Sequence, residues 1–139
     1  MPGGRQPSDM ESRLIEEIAE GLSAVDGVRA IVLGGSRARG TAHASSDIDI
    51  GVYYESEDEL DLQALEALAG RIDDRDRAGL MTRPGEWGPW INGGGWLTVR
   101  SVPVDILYRD LGRVRKVMDD CVEGRITIDY QPGHPHGFV

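Results

Sequence analysis

At 139 residues, 40% of them hydrophobic and 28% charged, the chain has the composition of one globular domain and is too short for two independent cores. Its formal net charge of −9 argues against a nucleic-acid partner, which a basic surface captures, and favours cations, either metal ions or a cationic small molecule. No apolar run approaches the ~20 residues of a membrane span, and the single cysteine, Cys121, excludes an intramolecular disulfide and a cysteine-based zinc site.

Residues 1–8 lack the apolar core of a secretory signal and read as a flexible N-terminus, so a cytoplasmic location and no membrane partner are expected. Ser8 and Glu11 form a capping box, and Leu14, Ile15, Ile18 and Leu22 follow at helical spacing, predicting a first amphipathic helix that ends between Gly21 and Gly27. Val28 to Leu33 is an apolar run read as a buried strand, and Ile48 to Tyr54 is a second. Between them, Gly34 to Ser46 is a polar connection. The acidic run 55–61 reads as the solvated first turn of a second helix, with Leu62, Leu65, Leu68, Ala69 and Ile72 on one face.

The segment 83–96, rich in glycine and tryptophan, is a turn-laden connection. Trp87, Trp90 and Trp96 either wall a pocket or pack this excursion onto the sheet. Two strands, 96–99 and 102–108, are joined tightly at Arg100-Ser101, and Pro103 places the second at or near a sheet edge. Asp110 caps a third helix, 111–123, which carries Leu111, Val114, Val117, Met118 and Cys121 inward and stops at Gly124. Cys121 is expected to be a small core residue. The fold class is α/β (α+β), a mixed sheet flanked by helices.

The chemistry concentrates in "VLGGSRARGTAHASSDIDIGVYY", residues 32–54. Side chains at i and i+2 of a strand share a face, so Asp47 and Asp49 project together while Ile48 and Ile50 enter the packing layer. Two such carboxylates repel unless a cation sits between them, and oxygen-only ligands suit Mg²⁺. Asp105 is a third carboxylate in an otherwise apolar strand. The three converge if that strand neighbours 47–53. Gly34 and Gly35 let the backbone approach a ligand closely, Ser36 adds a donor, and Arg37 and Arg39 are placed to supply positive charge. Taken alone, Gly34-Gly35-Ser36 also reads as a strand-to-helix turn, and the paired aspartates as the polar face of an exposed strand. Together, a phosphate-binding turn, metal-binding carboxylates and a third acid are the equipment of two-ion phosphoryl or nucleotidyl transfer.

The run Gly35-Ser36, ten intervening residues, then Asp47-Ile48-Asp49 resembles the signature of the DNA polymerase beta-like nucleotidyltransferase superfamily. It looks especially like the small bacterial branch of antibiotic and toxin-paired minimal nucleotidyltransferases. The likeness spans roughly residues 28–110 and is strongest at 31–51. It implies that fold, and it implies roles. Gly35 and Ser36 would hold the β- and γ-phosphates of a nucleoside triphosphate, ATP being the expected one, next to Gly34 and to Arg37 and Arg39, of which one can bind phosphate while the other pairs with a surface carboxylate. Asp47 and Asp49 would bind two Mg²⁺ ions, and Asp105 would share one ion and deprotonate the acceptor hydroxyl. The expected reaction moves AMP to a hydroxyl of a small molecule such as an aminoglycoside and releases pyrophosphate. A protein hydroxyl is the alternative acceptor, and a catalytically weak nucleotide-binding module is the alternative function. The expected organisation is a catalytic domain over 9–125 and an extended tail over 126–139, where a helical domain of resembling enzymes would begin. A homodimer or a separate helical partner would then complete the site.

Overall fold

The structure, a computed structural model, describes residues 9–34, 47–75, 77–87, 91 and 93–125. Its elements are α1 (Asp9–Ser23), β1 (Val28–Gly34), β2 (Ile48–Tyr54), α2 (Leu62–Ile72), β3 (Gly94–Val99), β4 (Val102–Asp110) and α3 (Leu111–Val122). The four strands form one mixed sheet in the order β1-β2-β4-β3. The β1–β2 and β3–β4 pairs are antiparallel, whereas β2 and β4 run parallel. A parallel pair needs a crossover, and α2 supplies it.

Strand alternation gives the sheet one dry face. Ile48, Ile50, Val52 and Tyr54 of β2 and Val104, Ile106 and Tyr108 of β4 are buried there, with Leu97 and Val99 of β3. They meet Leu14, Ile18 and Leu22 of α1 and Leu65, Leu68 and Ala69 of α2 in one apolar cluster. Burial of such side chains contributes roughly 1.5–3 kcal/mol each before chain entropy is counted. Both helices therefore serve one face of the sheet, and the other face is left for Asp49 and Asp105.

The edge strand β3 is closed off by the segment after α2. Among the described residues, Asp73 is the one charged residue in the buried set. Its Oδ1 accepts from Thr98 N at 3.1 Å and from Arg77 Nη2 at 2.9 Å. Its Oδ2 accepts from Arg77 Nε at 3.0 Å, Arg75 N at 3.2 Å and Arg77 N at 3.3 Å. Asp74 N donates to Thr98 O at 2.7 Å, and Thr82 N donates to Gly94 O at 2.8 Å. Outward-facing backbone groups of β3 thus find partners within the chain, which blunts an edge open to pairing with other strands. Glu66 of α2 holds the same segment by accepting from Leu80 N at 2.7 Å and Met81 N at 3.3 Å.

The β3–β4 turn takes two residues in left-handed conformation, Arg100 (φ 50) and Ser101 (φ 67). Neither is the glycine or asparagine usual there. The Asp74 carboxylate accepts from both their amides, at 2.8 and 2.7 Å, and offsets the strain.

Several expectations are corrected. The acidic run is not the first turn of α2. Glu57–Glu59 form a separate 3-10 turn, and Asp61 caps α2 by accepting from Ala64 N at 3.0 Å. Strand β4 is interior rather than at an edge. Pro103 is tolerated because the β2–β4 register begins only at Ile48↔Val104, so Pro103 lies beyond the end of β2. Helix α3 forms where expected, with Asp110 capping it through Arg113 N at 3.1 Å, but none of its residues is fully buried. Met118 is 61% and Val122 88% exposed, and Cys121 is an exposed thiol rather than a core residue. The physical reason is that α1 and α2 already cover the dry face. Helical spacing locates an apolar stripe without supplying anything to cover it. Among the described residues no helix is long and apolar enough to cross a membrane.

Candidate active site

A single row of cross-strand partners crosses all four strands. Gly34 of β1 pairs with Asp49 of β2, Asp49 with Asp105 of β4, and Asp105 with Trp96 of β3. Residues directly opposite one another in a sheet project to the same side. Their neighbours Ile48, Ile50, Val104, Ile106 and Leu97 are buried in the dry layer. Asp49, Asp105 and Trp96 therefore stand together on the open face. Asp47, exposed, precedes β2 and shares the face of Asp49 by alternation.

Two glycines of β1 and β2 flank Asp49, while side chains of Tyr53 and Val32 lie over Gly51. Gly51 follows Asp49 on the same face and presents no side chain. Gly34 lies so close to Asp49 that a Cβ there would sit 3.8 Å from the Asp49 Cβ.

The carboxylates feel one another. Asp105 has its pKa raised to about 6 from an ordinary 3.8, by partial burial first, then by the charges of Asp47 and Asp49, and by a hydrogen bond with Asp49. Protonated Asp105 is the donor in that bond. All three aspartates thus share one electrostatic neighbourhood. Among the described residues, no three His, Cys, Asp or Glu side chains are gathered into a finished ligand set for one ion. Like charges do not close on one another unaided. The donor chemistry nevertheless suits a hard divalent cation: oxygens only, partly exposed, and leaving room for waters and phosphate oxygens.

Of the residues singled out in the sequence, Gly34, Asp47, Asp49 and Asp105 are brought together. Gly35, Ser36, Arg37 and Arg39 lie outside the described residues, as does Trp90. The position of Trp96 beside Asp105 is the feature that sequence reading missed. The signal was present: in a hairpin with a two-residue turn at Arg100-Ser101, counting back from the turn pairs 96 with 105. Trp96 stacks on Trp87 with ring centroids 4.8 Å apart and planes 21° from parallel. Arg109, four residues beyond Asp105 on the same strand, also belongs to this face. Burial lowers the pKa of its guanidinium and Tyr53 partly offsets that.

The mixed four-stranded sheet with its three helices is consistent with a nucleotidyltransferase fold. Residues 15–83, about half the chain, match the family model described as nucleotidyltransferase domain. The chain is a member of the DNA polymerase beta-like nucleotidyltransferase superfamily. The matched span carries β1, β2 and α2, hence Gly34, Asp47 and Asp49, whereas Asp105 and Trp96 lie beyond it and enter through the sheet register. No curated protein matches the chain.

Proposed function

We propose that this domain catalyses Mg²⁺-dependent transfer of a nucleoside monophosphate, AMP from ATP, to a hydroxyl of a small cationic acceptor of aminoglycoside type. One observation carries the reading: Gly34, Asp49 and Asp105 fall in one cross-strand row on the open face. Asp47 and Asp49 would hold the metal, with Asp105 sharing it. Bound there, Mg²⁺ supplies charge neutralisation for the phosphates and the α-phosphorus.

The residues divide the work along the row. Gly34, Gly35 and Ser36, assisted by Arg37 and Arg39, bind the β- and γ-phosphates at the β1 end. Asp105 orients the acceptor hydroxyl and takes its proton. The acceptor oxygen forms a bond to the α-phosphorus, the bond from that phosphorus to the bridging oxygen breaks, and pyrophosphate leaves with the electron pair.

The exposed apolar side chains of α3 favour a second reading in which a protein supplies the hydroxyl or completes the site. The same assay separates the two. The full chain is incubated with Mg²⁺, ATP labelled at the α-phosphate, a panel of aminoglycosides, and a cell extract in parallel. Label on a small molecule with stoichiometric pyrophosphate supports the first reading, and label on protein supports the second. Mg²⁺–ATP binding without label on either marks a catalytically weak module.

A further inference from the structure

We infer that Trp96, backed by Trp87, is the platform that holds the acceptor by a cationic group at the β3 end of the site. The inference rests on the nucleotidyl-transfer reading above and adds a residue, a side of entry and a mode of recognition to it.

The register comes first. Trp96 is the cross-strand partner of Asp105 and faces away from the dry layer that holds Leu97 and Val99. Thr98 turns its amide and carbonyl outward to Asp73 and Asp74. Trp96, two residues earlier, has the same orientation, so Trp96 and Asp105 form the closer kind of antiparallel pair, with Cα atoms about 4.5 Å apart. The indole therefore flanks the carboxylate.

Exposure is the second observation. Trp87 covers one side of the Trp96 ring, yet Trp96 remains 60% exposed. A tryptophan this open leaves apolar surface in water beside charged groups. Stacking on Trp87 restrains its orientation, so little side-chain entropy remains to be lost when a ligand arrives.

Reaction geometry decides which ligand. Attacking and leaving oxygens lie roughly in line across the phosphorus. If pyrophosphate departs toward Gly34 on β1, the acceptor enters from the opposite end of the row. That end is β4 and β3, where Asp105 and Trp96 stand directly opposite each other. Charge narrows the class further. The face of an indole attracts cations, by about 0.5–2 kcal/mol depending on exposure. Here that face lies beside Asp105, with Asp49 and Asp47 beyond, on a chain of net charge −9. A ligand bearing both an ammonium group and a hydroxyl satisfies both neighbours, with its cation on the ring and its hydroxyl at Asp105.

The test uses the full chain, with Trp96→Ala and Trp96→Phe. The site is exposed, so neither variant should lose the fold, and a thermal melt checks this. Kanamycin, a polyamino sugar, and trehalose, a neutral one, are titrated without nucleotide, and Mg²⁺–ATP is titrated separately. Trp96→Ala should weaken kanamycin binding about tenfold and Trp96→Phe by less, with Mg²⁺–ATP affinity unchanged and trehalose binding absent. In turnover, the change should appear in KM for the aminoglycoside and not in KM for ATP. Kanamycin binding that is absent in the wild type, or equal in wild type and Trp96→Ala, overturns the platform. Equal weakening of ATP and kanamycin also overturns it and makes the ring a nucleobase stack. Failure of the wild type to bind Mg²⁺–ATP overturns the underlying transfer reading instead, and is seen separately because the kanamycin titration needs no nucleotide.

Discussion

Asp105 is the residue whose titration is most informative. Its folded-state pKa of about 6 lies above the ordinary 3.8, so between those values the folded chain binds more protons than the unfolded one. Stability then falls as pH rises through that window. The protonated form gives full stability below about pH 4, and the loss is complete above pH 6. In metal-free buffer the wild type should melt lower at pH 7.5 than at pH 5. Asp105→Asn should flatten that slope and raise the pH 7.5 melting temperature, by about 4 °C for each kcal/mol of repulsion relieved. A mutant with the wild-type slope would show that Asp105 does not crowd Asp47 and Asp49. Asp73 has the opposite sign. Hydrogen bonds from the Arg77 side chain, then from the Thr98 amide, hold its carboxyl well below the usual range. The stability it contributes is present above pH 3.8 and is lost as pH falls toward its folded-state value. Asp73→Asn should lower the melting temperature at pH 7 and make acid unfolding shallower. An unchanged acid limb in a pH series of melts would remove Asp73 from this role.

At the scale of elements, the close approach of β3 to β4 depends on Gly94. Its φ is 144°, and a Cβ there would lie 1.8 Å from the backbone oxygen of Ile106. Gly94→Ala should therefore destabilise the domain by about 3 kcal/mol, combining a steric shift with a strained backbone, read as a lowered denaturation midpoint with unchanged m-value. A shift below 0.5 kcal/mol would mean that β3 relaxes freely. Both central strands were legible in the sequence, β2 because it alternates with aspartate and β4 because it is an apolar run interrupted by Asp105, and the Arg100-Ser101 turn was legible from its spacing. The function of Asp73 was not. Its five hydrogen bonds come from α2's own exit and from β3, twenty-five residues away, and nothing local distinguishes it from Asp74 or Asp58. Helix α3 shows the complementary failure. Its apolar stripe is real, but whether a stripe is covered depends on the whole packing, and here Met118 and Val122 face solvent.

For the molecule as a whole, the class of protein was readable from residues 34–49 because a Gly-Gly-Ser run and an alternating acidic strand stand at a spacing that few other functions require. The third carboxylate needed the sheet. Only the parallel register of β2 with β4 puts Asp105 opposite Asp49, and only the hairpin puts Trp96 beyond it. The central claim is that this row binds a metal–nucleotide and transfers its nucleotidyl group. Its most direct measurement is pyrophosphate release by the full chain with ATP, Mg²⁺ and the aminoglycoside panel, run beside Asp49→Asn and the metal-free control. The wild type should release pyrophosphate in step with labelled acceptor. Chelation should abolish the signal, and Asp49→Asn should lower kcat/KM at least a hundredfold, about 2.7 kcal/mol of transition-state stabilisation. Release that persists undiminished in Asp49→Asn, or after Mg²⁺ is chelated, would contradict the claim.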